Sequence, residues 1–255
     1  RLTADLRAID MNVMLVAADH AGALDDAVRL LLNYRPDLMV ILAATLSSAA
    51  ATECRNTGTP VIFFNRLSAD GQSFGITCDN EAGGSRIADF LVDRNHRRLA
   101  YVSALPDAST NLERGRGFTR RAIERGLPEP VWLPAGSFSY DAGYAAASQL
   151  GALDPLPDGI FCANDILAIG FVDGLRNGGL RVPEDISVVG FDDIDMARWP
   201  SHALTTIQQP VTAMLAATVA LAKKLALHAG EEPFVQRFTP GDLVERSTTR
   251  SRHAQ

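Results

Sequence analysis

The 255-residue sequence is poor in cysteine and in lysine, and it holds no long apolar run. Its three cysteines, Cys54, Cys78 and Cys162, are too few and too scattered for a disulfide framework or a zinc site. They read as buried thiols, the usual place of free cysteine. No stretch approaches the ~18 consecutive apolar residues of a membrane-spanning helix. The richest, Met11–Ala18, is eight residues long. Residues Arg1–Asp10 are charged and lack the apolar core of a secretory signal. The expectation is a cytoplasmic protein with no membrane partner. The basic residues are 22 arginines against two lysines, Lys223 and Lys224, a skew to which no mechanism attaches. A net charge of −6 argues against a nucleic-acid-binding surface on this stretch, because phosphate backbones require clustered positive charge. One basic cluster exists: Arg114, Arg116, Arg120, Arg121 and Arg125. It falls on a predicted helix, and its last three members read as a solvated face.

The constellations that chemistry needs are also missing. The five histidines, His20, His96, His202, His228 and His253, share no ligand spacing. There is no HExxH, no GxSxG nucleophile elbow and no GxxxxGK[ST] phosphate loop. Gly115-Arg-Gly117 is the nearest fragment to a dinucleotide fingerprint, and no strand abuts it. Asp192 and Asp193 are adjacent at a predicted strand end, where neighbouring side chains diverge, which disfavours an acid/base pair. The expectation is a binding protein with no catalytic residue, metal or cofactor. An α/β enzyme using Asp192 or Asp193 on a sugar is the enzymatic alternative.

What is present is an alternation. Short apolar runs at Asn12–Ala18, Leu38–Ala43, Val61–Phe64, Phe74–Cys78, Leu99–Ala104, Val131–Leu133, Gly159–Ala163, Ile186–Gly190 and Leu204–Gln208 read as strands. Most lack inside/outside alternation, as strands covered on both faces do. Helices are predicted between them at Ala21–Tyr34, Ser47–Thr57, Glu81–Asn95, Asn111–Arg125, Asp141–Leu150, Asp165–Asn177 and Val211–Ala229. Such alternation implies parallel sheets with right-handed crossovers, and the length favours two doubly wound lobes. Ligands of open α/β sheets bind beyond the carboxyl ends of the strands. The residues just after the apolar runs are rich in Asp, Asn and Arg, including Asp19, Asn65, Asn164 and Asp192, which suits a small polar ligand.

Several motifs then fall in one order: VIFFNR at Val61–Arg66, DNEAGG at Asp79–Gly84, LERGRGF at Leu112–Phe118, FSYDAGY at Phe138–Tyr144, FCANDILAIG at Phe161–Gly170, VPEDISVVGFDD at Val182–Asp193, LTTIQQP at Leu204–Pro210 and LVERST at Leu243–Thr248. This set resembles the effector-binding region of the LacI/GalR family of bacterial transcription regulators, over nearly the whole chain. The resemblance implies a type I periplasmic-binding-protein-like α/β fold, two lobes joined by three crossovers near Arg97, Gln208 and Val235. The N-terminal lobe would be 1–97 plus 209–235, and the C-terminal lobe 98–208 plus 236–255. Relative to the family, the DNA-binding headpiece, the hinge helix and the first strand do not appear, and the chain is expected to be a piece that starts inside the first helix.

The resemblance further implies a small-molecule effector, most often a sugar, held in the inter-lobe cleft and controlling operator binding allosterically. It implies a homodimer, and contact with operator DNA only through the headpiece. A periplasmic sugar-binding protein of a transporter is the alternative within the same fold. Arg114 is the first candidate ligand contact, a fork of donors suited to vicinal hydroxyls or a carboxylate, against an internal salt bridge. Asp192 is a candidate for hydroxyl recognition, with Asp193 capping the next segment. Asn164 caps a helix and either does or does not also touch the ligand. Phe138 either stacks on the ligand or sits in the core, and Trp199 either lines the cleft or packs on a crossover. Asn65, Asp19, Gln209 and Thr110 are candidate polar liners. Asp79 and Asn80 are expected to cap the helix from Glu81, and Gly83 and Gly84 to allow close packing on the sheet or a crossover.

Overall fold

Eight of the nine apolar runs are strands in the computed structural model, which describes residues 1–17, 21–42, 47–68, 71–227 and 231–250. The chain forms two compact units, Arg1–Cys78 with Pro210–Phe238, and Asp79–Gln209 with Thr239–Gln255, and passes between them three times.

The first unit contains α1 (Leu2–Arg7), α2 (Ala21–Leu32), β1 (Met39–Leu42), α3 (Ser48–Asn56), β2 (Val61–Phe64), β3 (Phe74–Cys78), α8 (Val211–Leu227) and β9 (Val235–Phe238). Its sheet runs β1-β2-β3-β9, all parallel. Ile62 and Ile76 are fully buried at its centre. Val28, Met39, Ile41, Ala50, Cys54 and Phe63 form one apolar cluster where α2 and α3 cover the sheet. The segment Asn12–Ala18, expected as a strand, is not one. Residues 12–17 carry no ladder, Leu15 is 80% exposed, and Ala18 lies outside the described residues. An apolar run becomes a strand only where a neighbour supplies hydrogen bonds, and no described strand pairs with it. β9 and β10 had escaped notice, because both are short and neither is an apolar run.

The second unit contains α4 (Asn80–Asp93), β4 (Leu99–Ser103), α5 (Ser109–Glu124), β5 (Val131–Pro134), α6 (Tyr140–Ala146), β6 (Gly159–Cys162), α7 (Asp165–Asn177), β7 (Ser187–Asp192), β8 (Thr205–Gln208) and β10 (Leu243–Val244). The sheet order is β10-β8-β7-β6-β4-β5, parallel except for β10. β4 and β6 are buried at every position, as their unbroken apolar runs require. Tyr101, Phe118, Phe161 and Phe191 form a continuous ring cluster, with Phe161 within 5.1 to 6.4 Å of the other three. Each fully buried ring of this kind contributes roughly 1.5–3 kcal/mol of transfer free energy.

Two pairs of helices flank this unit, and glycine sets both crossings. A Cβ on Gly84 would lie 2.1 Å from the Arg114 carbonyl oxygen, and one on Gly117 2.1 Å from that of Glu81. α4 and α5 therefore touch backbone to backbone, and Gly84 serves α5 rather than the sheet or a crossover. Gly143 and Gly170 do the same for α6 and α7. The outer faces of α4 and α5 are tied by Asp89, which pairs with Arg121 and Arg125, and by Glu81, which pairs with Arg116 and Arg120. The arginines read as a solvated face are thus half of an interhelical ion-pair network. Because α4 packs on α5, the second unit begins at Asp79, earlier in the chain than the crossover expected near Arg97.

Candidate functional site

Asp192 is the last residue of β7, and Arg114 lies one turn into α5, the helix that follows β4. Fully buried, Arg114 donates from Nη2 to Asp192 Oδ1 at 3.1 Å, from Nη1 to the Ala163 carbonyl at 2.6 Å and from Nε to Asn80 Oδ1 at 3.0 Å. Its guanidinium lies 3.8 Å above the Phe191 ring, a cation–π contact in a desolvated setting. Gln209, just after β8, donates from Nε2 to the same Asp192 Oδ1 at 2.7 Å. Five segments thus meet at the carboxyl ends of parallel strands, where open α/β sheets place ligands.

Behind Asp192 sits a second carboxylate. Asp165 is the first residue of α7 and is fully buried. It accepts from the Thr206 hydroxyl at 2.5 Å and from the Ile194 N–H at 2.9 Å. Burial and then the nearby charge of Asp192 push Asp165 up to about 7, against those two hydrogen bonds. Burial also raises Asp192, while Arg114 and Gln209 hold it down. The two titrate together. Of the two, Asp165 is the better place for a proton because its hydrogen-bond partners are neutral, whereas Asp192 faces the guanidinium.

Asp193 does not cap the next segment. Its side chain is buried between Arg246 at 2.6 Å and Arg198 at 3.3 Å. Asn164 caps α7, accepting from the Leu167 N–H at 3.1 Å. Asp79 caps α4 through the Ala82 N–H at 3.0 Å, but Asn80 does not: it is the first helical residue, and its side chain turns to Arg114. Thr110 is buried in the first turn of α5, and Phe138 is half-buried ahead of α6. Trp199 is 51% exposed and stacks on His202. Asn65 directly follows β2 of the first unit in the left-handed region, φ +71°, its backbone held by Ile76 and Thr77. Asp19 lies outside the described residues. The structure therefore brings Arg114, Asp192 and Gln209 together beside Asn164. Asn80, Glu113, Asp165 and Thr206 had not been singled out as part of this network. For Asn80 the signal was available in its place next to a capping Asp, one residue too far into the helix to cap.

No group of three or more His, Cys, Asp or Glu suited to a metal ion occurs among the described residues. The three cysteines are buried, and burial raises the Cys162 thiol well above its usual range. Among the described residues no helix is long and apolar enough to cross a membrane.

Parallel sheets carrying a polar network at their carboxyl ends define a periplasmic-binding-protein-like domain, and residues 88–249 match the model of that family, described as a periplasmic binding protein-like domain. The chain belongs to the LacI/GalR-type regulators, as their effector-binding region. It is 30% identical to the HTH-type transcriptional repressor PurR of Pasteurella multocida, over 88% of this chain and 68% of that protein. It spans 56% of the PurR of Vibrio campbellii, at 31% identity over 72% of this chain. Among solved structures it resembles a LacI transcriptional regulator from a Rhodococcus species, with a TM-score of 0.88 and 27% identity, covering 98% of this chain and 91% of that one. It also resembles a LacI family regulator from Enterococcus faecalis with bound ribose, with a TM-score of 0.83 and 25% identity, covering 99% of this chain and 92% of that one.

Proposed function

We propose that this chain is the sugar-binding, dimerising core of a cytoplasmic LacI-type repressor, and that a small polar effector anchored at Asp192 and Arg114 controls operator binding by the intact protein. The observation that carries this reading is the grip on Asp192. Both Arg114 and Gln209 donate to Oδ1, which leaves Oδ2 of a partly exposed carboxylate to accept from a ligand. A carboxylate oxygen oriented by two fixed donors suits a hydroxyl, and the Enterococcus faecalis relative is described with bound ribose.

The inter-lobe position of the ligand, and contacts from Asn164, Phe138, Thr110, Trp199, Asn65 and Asp19, belong to the same proposal. So do the homodimer and the operator contact through a headpiece. The mechanism is a population shift: the effector changes the balance of two conformations by its difference in affinity for them.

A thermal-shift screen with D-ribose, other pentoses, hexoses and disaccharides tests the reading. A ligand at 100 times its Kd adds about 2.7 kcal/mol to the stability of the state it binds. A hit that Asp192→Asn abolishes is the expected result. No hit from any sugar, with a hit from purines or sugar-free anions instead, would overturn the sugar. Turnover of a bound sugar would overturn the regulator in favour of an enzyme.

A further inference from the structure

Arg114 is held from behind as well as in front. Asn80 accepts from Arg114 Nε at 3.0 Å and donates from Nδ2 to Glu113 Oε2 at 3.0 Å. Asn80, Glu113 and Arg114 are all buried. The orientation of the Asn80 amide follows from chemistry alone. A guanidinium only donates, so it must meet the amide oxygen, and the carboxylate must then meet the amide nitrogen. Glu113 thus holds the Asn80 amide in the orientation that Arg114 requires. Nε is the guanidinium nitrogen nearest the chain, so a fixed acceptor there sets the plane of the whole fork. That plane aims Nη2 at Asp192 and Nη1 at the Ala163 carbonyl. Asn80 also stands two residues after Cys78, at the first passage of the chain from one unit to the other.

We infer that Asn80, oriented by Glu113, is a positioning residue for the effector anchor: it fixes the guanidinium of Arg114, which in turn fixes the Asp192 carboxylate as an acceptor for a hydroxyl or N–H of the ligand. The inference rests on the proposed function for its ligand and on the buried Glu113–Asn80–Arg114 chain for its mechanism. Neither Asn80 nor Glu113 needs to touch the effector.

The test has two arms. The first needs no ligand: hydrogen exchange of the Arg114 Nε–H, followed by 15N NMR and assigned by its loss in Arg114→Lys. Asn80→Leu removes the acceptor and should speed that exchange by about tenfold or more, as loss of a buried charge-assisted hydrogen bond implies. Glu113→Ala should speed it too, and Glu113→Gln, which keeps an acceptor for the Asn80 amide, should restore it to near the parent rate. The second arm titrates D-ribose by calorimetry. Asn80→Leu and Glu113→Ala should weaken binding by about tenfold, while Glu113→Gln binds as the parent does. A folded Asn80→Leu protein with unchanged exchange overturns the inference. If Asn80→Leu does not fold, the Glu113→Ala and Glu113→Gln pair decides by the same readout, and equal exchange in the two overturns it. If the parent protein shows the expected exchange pattern but does not bind D-ribose, the positioning of Arg114 stands and the ribose reading of the site falls.

Discussion

Arg114 and Asp192, 78 residues apart in the sequence, meet at 3.1 Å above the ring of Phe191, the residue that precedes Asp192 on the same strand. Consecutive strand residues ordinarily point to opposite faces. Asp192 breaks that rule with φ +127°, followed by Asp193 at φ +56°. Two successive non-glycine residues at positive φ store strain, of order 1–3 kcal/mol each. Such strain persists where surrounding contacts over-determine it, and here the contacts are Arg114 and Gln209 on Asp192, and Arg246 and Arg198 on Asp193.

The pair should therefore behave as a unit. Arg114→Leu strands a carboxylate in a largely desolvated place and should cost about 3 kcal/mol or more in urea unfolding. Asp192→Asn keeps an acceptor for Arg114 and Gln209 and should cost less, about 1–2 kcal/mol. The double variant should be more stable than the sum of the singles predicts, by about 1 kcal/mol or more. Additivity of the two losses would show that the ion pair is not an energetic unit.

Glycine sets the helix crossings, so alanine is costly there and cheap only where φ is negative and the space around the glycine is open. Gly84→Ala drives a methyl group into the Arg114 carbonyl, and Gly143→Ala drives one into the Leu167 carbonyl. Backbone cannot yield as a side chain does, so each should lose about 3 kcal/mol, at or beyond the upper end of overpacking costs. Gly151, at the end of the 3₁₀ segment after α6, has open space around it. Gly151→Ala should leave stability unchanged or raise it by up to about 1 kcal/mol. The Gly84 variant carries an extra consequence that the Gly143 variant does not: it displaces the backbone of Arg114, and should weaken any ligand of Asp192 even where it still folds.

Much of the architecture was legible because buried parallel strands announce themselves as unbroken apolar runs, and β4, β6 and β7 do so plainly. The same logic misled at Asn12–Ala18, where apolar residues find no described ladder partner, and it passed over β9, whose Val235 and Gln236 are exposed. At the site, Arg114, Asp192 and Gln209 were legible as residues after strands and within ordered motifs. Asn80 and Glu113 were not, since their significance lies in a contact between α4 and α5 that requires Gly84 and Gly117 to bring the two helices together. Pairwise contacts across such distances leave no local pattern in one sequence.

The buried acid behind the site makes stability fall with rising pH. Asp165 has its folded value raised to about 7, from 3.8, by burial and by Asp192. Below the lower value both folded and unfolded chains hold the proton and there is no penalty. Between the two values the folded chain binds more protons than the unfolded one, so stability declines as pH rises, by up to about 1.4 kcal/mol per pH unit. Above the upper value the full penalty is present. Asp165→Asn removes this titration. The difference in urea midpoint between the variant and the parent should grow in the variant's favour from pH 5 to pH 8. A difference that stays constant over that range would mean that Asp165 does not change its protonation there.

Ala203 offers the opposite kind of change, a gain without any new contact. It follows the Trp199–Pro200–Ser201–His202 turn and takes φ +40°, a conformation that a Cβ resists. Its carbonyl accepts from the Ser247 N–H at 2.9 Å, and the next N–H, of Leu204, donates to the Ala197 carbonyl, so the surroundings hold it there. Left-handed backbone costs an L-residue roughly 1–2 kcal/mol, whereas glycine adopts it freely and loses somewhat more entropy on folding. Ala203→Gly should therefore stabilise the second unit by about 0.5 kcal/mol, and Ala203→Val should destabilise it by about 1 kcal/mol or more. Both backbone hydrogen bonds survive either change, so the ordering Gly above Ala above Val in thermal unfolding isolates the cost of φ. The reverse ordering would mean that Ala203 does not hold a left-handed conformation in solution.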